Sequence, residues 1–224
     1  MIWRAAAPQL DLFAPDIYLP DFQGVCNSFT RSGNLLFIPE ARASVPNLFY
    51  AIGQHAALGY SPFGIEDLNE DNPLAGAYKA LGGAIPAIAK AQSEGKVVVA
   101  LQGTEASQTV SLGGYKMTIS FGGGRRGPQT PPPAQAPQAA PAGYGLILNT
   151  APDEFVFLGT GISASFAADS PGPKIAVIGT VDEGRFAQGV WIPGRRLNGD
   201  EGGGRVQMRG PGIGILKVKV YRHD

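Results

Sequence analysis

The chain has 224 residues, 44% of them apolar, with 18 basic and 18 acidic side chains. That composition is globular rather than disordered. The balanced charge provides no electrostatic case for nucleic acid or an anionic membrane surface. No apolar run reaches the ~18 residues of a membrane-spanning helix, and the single cysteine, Cys26, excludes an intrachain disulfide.

Leu10-Asp11-Leu12-Phe13-Ala14 reads as a short strand, followed by Pro15-Asp16-Ile17-Tyr18. Asp21 to Arg31 forms a weak helix with Asp21 as N-cap, ended by Ser32-Gly33-Asn34. Leu35-Leu36-Phe37-Ile38 is a continuous apolar run, suited to a strand buried on both faces, and Pro39-Glu40-Ala41 follows it. A carboxylate at the end of such a strand is costly to desolvate, so Glu40 is the first functional candidate.

Asn47 to Leu58 spaces Leu48, Ala51, Ile52 and His55 on one helical face, with Gly59 as the expected stop. Gly59 to Ile65 reads as a strand and its exit loop. Asn72-Pro73 starts a third helix, with Leu74, Ala77, Tyr78, Leu81, Ile85 and Ile88 at helical spacing. Gly82, Gly83 and Pro86 are expected to weaken or kink its middle.

The order β, α, β, α, β, α predicts a parallel sheet with helices outside. After Gly95 the period changes. Runs beginning at Val97, Tyr115, Gly145, Glu154, Ile175 and Gly214 read as short strands without intervening helices, which predicts an antiparallel sandwich or barrel. The boundary falls at Ser93 to Lys96, giving domains 1–94 and 95–224. Between two of the later strands, 122–143 is rich in proline, alanine and glutamine and is expected to be a flexible or polyproline-like loop.

Ala14-Pro15-Asp16-Ile17-Tyr18, Phe37-Ile38-Pro39-Glu40-Ala41-Arg42 and Gly59-Tyr60-Ser61-Pro62-Phe63-Gly64-Ile65-Glu66 together resemble family 35 glycoside hydrolases, the β-galactosidases. The tail, ending in Ile215-Leu216-Lys217-Val218-Lys219-Val220-Tyr221, resembles the C-terminal β-domain of bacterial members. The resemblance implies an α/β plus all-β fold: the last three βα units of a (β/α)8 barrel, then an antiparallel β-sandwich. It also implies a retaining mechanism with Glu40 as nucleophile, forming a covalent glycosyl-enzyme that water opens. The implied substrates are terminal β-galactosides of plant or bacterial polysaccharide.

Tyr18, after the preceding strand, is expected to hydrogen-bond Glu40 and keep it ionised. Tyr60 and Phe63 are expected to form an apolar wall for a sugar face, and Glu66 to touch a sugar hydroxyl.

The family's acid/base lies on the fourth barrel strand, which would precede Met1, and Asp16, Glu66, Asp67 and Glu70 do not match it. The chain is therefore expected to be a C-terminal fragment or truncated reading frame, weak as a hydrolase, with the missing N-terminal barrel half as a partner. Its first strand should expose an unpaired edge that favours association. The parent enzyme is expected to be periplasmic or secreted, although Pro8, Gln9 and Asp11 interrupt any signal-peptide core.

Blander readings stand beside these. Glu40 could pair with Arg42 or cap the helix at Asn47, Tyr18 could be ordinary packing, and Glu66 could shield a helix start. The whole chain could instead be a non-catalytic remnant with a structural or carbohydrate-binding sandwich, in which Trp191 stacks on sugar or lies in the core. No cofactor or metal is expected, because two histidines and one cysteine have no ligand spacing.

Overall fold

The computed structural model describes residues 5–122, 143–201, 204–210 and 212–224. The chain divides into two compact units. One runs up to Val99 and includes Arg185–Ile192; the other comprises Ala100–Gly184 and Pro193–Asp224.

In the first unit, β1 (Asp16–Ile17), β2 (Phe37–Ala41) and β3 (Gly59–Pro62) form a parallel sheet in that order. Three helices accompany it: α1 (Phe22–Phe29), α2 (Val45–His55) and α3 (Pro73–Ser93). Each begins at a side-chain cap that satisfies an otherwise orphaned amide. Asp21 accepts from Gly24 N at 2.9 Å, Ser44 from Asn47 N at 3.4 Å and Asn72 from Leu74 N at 2.9 Å. Ile17, Ile38 and Ala41 of the sheet are buried, as are Phe22, Cys26, Leu48, Phe49, Leu74 and Leu81 of the helices. Burying each large apolar side chain contributes about 1.5–3 kcal/mol. Buried Asn34 ties the stretch before β1 to this core: it accepts from Phe13 N and donates to Phe13 O, both at 2.9 Å, and donates to Phe29 O at 2.7 Å.

The second unit is antiparallel. Its strands are β4 (Val97–Leu101), β5 (Ser107–Leu112), β6 (Tyr115–Phe121), β7 (Tyr144–Ala151), β8 (Glu154–Thr160), β9 (Ile162–Ala168), β10 (Ile175–Ala187), β11 (Val190–Arg196), β12 (Val206–Met208) and β13 (Gly214–His223), although the start of β4 and the β10–β11 tip fall in the first unit. They form a six-stranded sheet, β11-β10-β13-β8-β7-β4, and a four-stranded sheet, β12-β9-β6-β5. Rings from both sheets meet: Tyr115 of β6 and Phe166 of β9 lie 5.6 and 5.1 Å, centroid to centroid, from Phe155 of β8.

The expected (β/α)8 barrel units are corrected. Thirteen strands and three helices occur among the described residues, in three sheets, and no (β/α)8 barrel is evident; the chain is largely β. The βα alternation up to Ser93 is a local pattern. It joins only three strands, of two, five and four residues, whereas a barrel closes eight.

Element limits also shift. Leu10–Ala14 contains no strand, and the first strand is Asp16–Ile17. The second strand runs through Glu40 to Ala41, so the glutamate lies inside the strand and not after it. Helix α2 stops before Gly59: Ala56 takes the left-handed turn (φ 49°), Ala56 N bonds Ile52 O at 3.0 Å, and Ala57 N bonds Ala51 O at 3.1 Å. Gly59 has a different role, because a Cβ there would sit 2.7 Å from the Phe37 ring. Helix α3 runs unbroken through Gly82, Gly83 and Pro86. The proline-rich segment expected at 122–143 lies, apart from its end residues, outside the described residues.

Candidate active site

The C-terminal ends of β1, β2 and β3 bring the sequence candidates to one edge. In the β1–β2 register Asp16 lies opposite Glu40 and Ile17 opposite Ala41. Tyr18 is the next residue after β1, and its phenol reaches back to donate a hydrogen bond to Glu40 Oε1. The β2–β3 register slips between Ile38 (opposite Tyr60) and Ala41 (opposite Pro62), leaving one extra residue in β2. The slip spans Pro39, which has no N–H for a ladder bond, and Glu40. A bulge re-aims a side chain. Here the buried positions of β2 are Ile38 and Ala41, three apart and not two, while Glu40 between them stays half-exposed.

The Tyr18 phenol is pushed up to about 12. The largest cause is its bond to Glu40, which only the protonated phenol can donate; burial and the charges of Glu40 and Asp16 add to it, and Arg42 opposes. Tyr18 is thus a proton-bearing donor across the neutral range. Among the described residues Glu40 forms no ion pair with Arg42, and its Oε2 has no hydrogen-bond partner. Nor does it cap α2, since Ser44 fills that place. The arrangement is a carboxylate held through one oxygen and open at the other, which suits attack on an electrophilic carbon.

The other candidates divide. Phe63 N–H bonds Ala41 O at 2.9 Å, setting its ring, 72% exposed, just past the end of β3. Glu66 lies in the exposed 3-10 turn Ile65–Asp67 beyond it. Tyr60 is buried and is not a wall for a ligand. Its hydroxyl donates to Arg42 O at 2.5 Å, its carbonyl accepts from Tyr78 Oη at 2.6 Å, and burial pushes its phenol up to about 12. It braces the backbone that carries Arg42. Trp191 is half-buried and packs edge-on against Phe186 at 5.4 Å in the first unit.

Sequence reasoning missed the pairing of Asp16 with Glu40. The available signal was the two-residue spacing of Asp16 and Tyr18, which puts both on one face of an extended segment. No cluster of three potential metal ligands occurs among the described residues, and no helix of the described chain is long and apolar enough to cross a membrane.

Residues 74–209 match the model of a family described as "Domain of unknown function (DUF5597)". The matched segment begins after the Tyr18–Glu40 edge. No curated protein matches the chain.

Proposed function

The chain belongs to the family described as domain of unknown function DUF5597, and for it we propose the chemistry of a retaining β-galactosidase with Glu40 as nucleophile. The single observation that carries this reading is the Tyr18–Glu40 hydrogen bond at the bulged, open end of a parallel sheet. The resemblance of the three flanking sequence segments to family 35 glycoside hydrolases supports the substrate class.

In this reading Glu40 Oε2 attacks the anomeric carbon of a terminal β-linked galactose while the bond to the leaving oxygen breaks. A galactosyl ester of Glu40 results, and water opens it with net retention. Tyr18 positions the carboxylate through Oε1 and keeps its proton at neutral pH. Phe63 lends its exposed ring to the apolar face of the sugar, and Glu66 takes a hydroxyl from the exit loop. Proton donation to the leaving oxygen is a separate requirement, met in retaining enzymes by a second carboxyl roughly 5–5.5 Å from the first.

A dinitrophenyl β-galactoside isolates the role of Glu40, because dinitrophenolate departs without protonation. The expected result is dinitrophenolate release by the wild-type chain that falls to background in Glu40→Gln. Release unchanged in the variant, or none from a chain with a cooperative melting transition, overturns the proposal.

A further inference from the structure

We propose that the outer edge of β5 pairs with the same edge of a second copy of the chain, antiparallel across a twofold axis at Thr109. β5 ends the four-stranded sheet β12-β9-β6-β5, and among the described residues no strand lies beyond it. No residue of the Glu40 edge takes part, so the pairing is independent of the reading given to Glu40. A sheet edge presents unpaired N–H and C=O groups, and chains guard such edges with short strands, proline, charge or a cover. β1 and β12 have only two and three residues, β3 ends at Pro62, and β11 carries Pro193, Arg195 and Arg196. β4 is half-buried or buried at each residue. β5 runs for six residues, Ser-Gln-Thr-Val-Ser-Leu, without a charge or a proline.

The phase of the β5–β6 ladder fixes which groups face outward. Phe121 N donates to Ala106 O at 3.0 Å, one step beyond the register that sets Ser107 opposite Ser120. Bonded pairs alternate along an antiparallel ladder. Gln108, Val110 and Leu112 therefore bond to β6, while Ser107, Thr109 and Ser111 turn their N–H and C=O groups away from it. The hairpin turn agrees: Gly113 and Gly114 both have positive φ (60° and 82°), as a type I′ turn closing on the Leu112–Tyr115 pair requires. Ser107, Thr109 and Ser111 are also exposed.

A second copy fits this edge because the edge complements itself. With Thr109 opposite Thr109 of the other copy, Ser107 falls opposite Ser111, and every outward N–H and C=O finds a partner. Opposed residues then point to the same face, so the exposed face of the sheet continues unbroken from copy to copy. Each side chain on that face meets another hydroxyl, which both donates and accepts, and threonine–threonine and threonine–serine pairs are favourable across strands. Charge is compatible as well. Glu105 precedes β5, whereas Lys116, opposite Ser111, and Asp169, which accepts from Ser111 Oγ at 2.5 Å, lie towards its other end. Antiparallel pairing brings Glu105 towards an end that holds both a cation and an anion, and keeps it away from the Glu105 of the other copy.

The test is sedimentation of the full chain over a range of concentrations. A monomer–dimer equilibrium with a Kd on the order of 0.1 mM is expected of so small a contact. Thr109→Lys sets two ammonium groups against each other on the axis and weakens the dimer about tenfold or more. Thr118→Lys puts the same charge one strand inward, opposite Thr109 on β6, and leaves the Kd within about threefold. The register has its own readout. On the axis the two Cα atoms of residue 109 lie roughly 5.5 Å apart, within disulfide reach, whereas those of residue 107 are offset by roughly 13 Å along the strand. Under the oxidant diamide, Thr109→Cys should therefore cross-link into a covalent dimer at least about tenfold faster than Ser107→Cys; Cys26 is buried in both. Three results overturn the pairing: a chain that stays monomeric at about 1 mM, a dimer indifferent to Thr109→Lys, or equal cross-linking rates at positions 107 and 109.

Discussion

Tyr18 donates a hydrogen bond to Glu40 across a sequence separation of 22 residues, and the same bond is the largest cause of the high pKa of the phenol. Two consequences can be measured. Tyr18→Phe should lower turnover of dinitrophenyl β-galactoside roughly ten- to a hundredfold, the equivalent of a hydrogen bond to a charged group at about 1.5–3 kcal/mol. Glu40→Gln removes the charge and leaves only a neutral amide oxygen as acceptor, so the Tyr18 phenol should titrate closer to the ordinary 10.0 and not at about 12. Carbon-13 labelling of tyrosine Cζ resolves that titration by NMR. A Tyr18 pKa that stays at about 12 in Glu40→Gln would mean that the charged acceptor is not what raises it.

Helix α3 carries two adjacent glycines with opposite requirements. A Cβ on Gly83 would lie 2.4 Å from Phe186 O, whereas nothing lies within 4 Å of one on Gly82. Pro86 removes the amide that would bond the Gly82 carbonyl, and beside that gap Gly189 N donates to Gly83 O at 2.9 Å. Gly83→Ala should therefore destabilise the chain by about 1–3 kcal/mol through a forced backbone shift. Gly82→Ala should be neutral or stabilising by up to about 1 kcal/mol. Denaturant midpoints of the two variants check the contrast, and equal effects would refute the close approach.

Ala56 holds a left-handed conformation, φ 49° and ψ 42°, at the end of α2. An alanine there bears a steric cost of roughly 1 kcal/mol that glycine avoids. Ala56→Gly should raise the thermal midpoint by a few degrees, and a drop would show that the αL cap is not strained.

His55 Nε2 is buried and has no hydrogen-bond partner among the described residues, and the ring packs edge-on against Tyr50 at 5.3 Å. Burial holds its pKa below the ordinary 6.5, because the charged imidazolium is disfavoured there. Below that value the unfolded chain binds more protons than the folded one. The His55 contribution to stability is thus fully present above pH 6.5 and is lost as pH falls through the lower folded pKa. Urea midpoints at pH 7 and pH 5 should separate more for wild type than for His55→Leu; equal separations would show that His55 carries none of the dependence.

What the sequence made legible was local chemistry. Asn72-Pro73 starts a helix because a cap and a first-turn proline act within one turn, and the helix begins there. The two-residue β1 and the displaced start of β2 escaped the pattern, since Leu10–Ala14 and Leu35 carry apolar residues without ladder partners. Strands β5 and β9, rich in serine and alanine, have weak alternation and were not anticipated. The barrel expectation failed because an alternation of strand and helix says nothing about how many strands share a sheet. Glu40 stood out as a carboxylate at the end of an apolar run, and Tyr18 came through the resemblance of the segment that carries it. The Asp16 register and the bulge at Pro39-Glu40 depend on pairing between strands.

The most direct measurement of the central claim is covalent trapping. The chain is incubated with a dinitrophenyl 2-deoxy-2-fluoro-β-galactoside, whose fluorine slows opening of the glycosyl ester, then digested and mapped by mass spectrometry. A single fluorogalactosyl group on the peptide that contains Glu40, absent from Glu40→Gln, is the result expected of a nucleophile. A folded chain that takes up no label, or takes it up on another residue, would contradict the assignment.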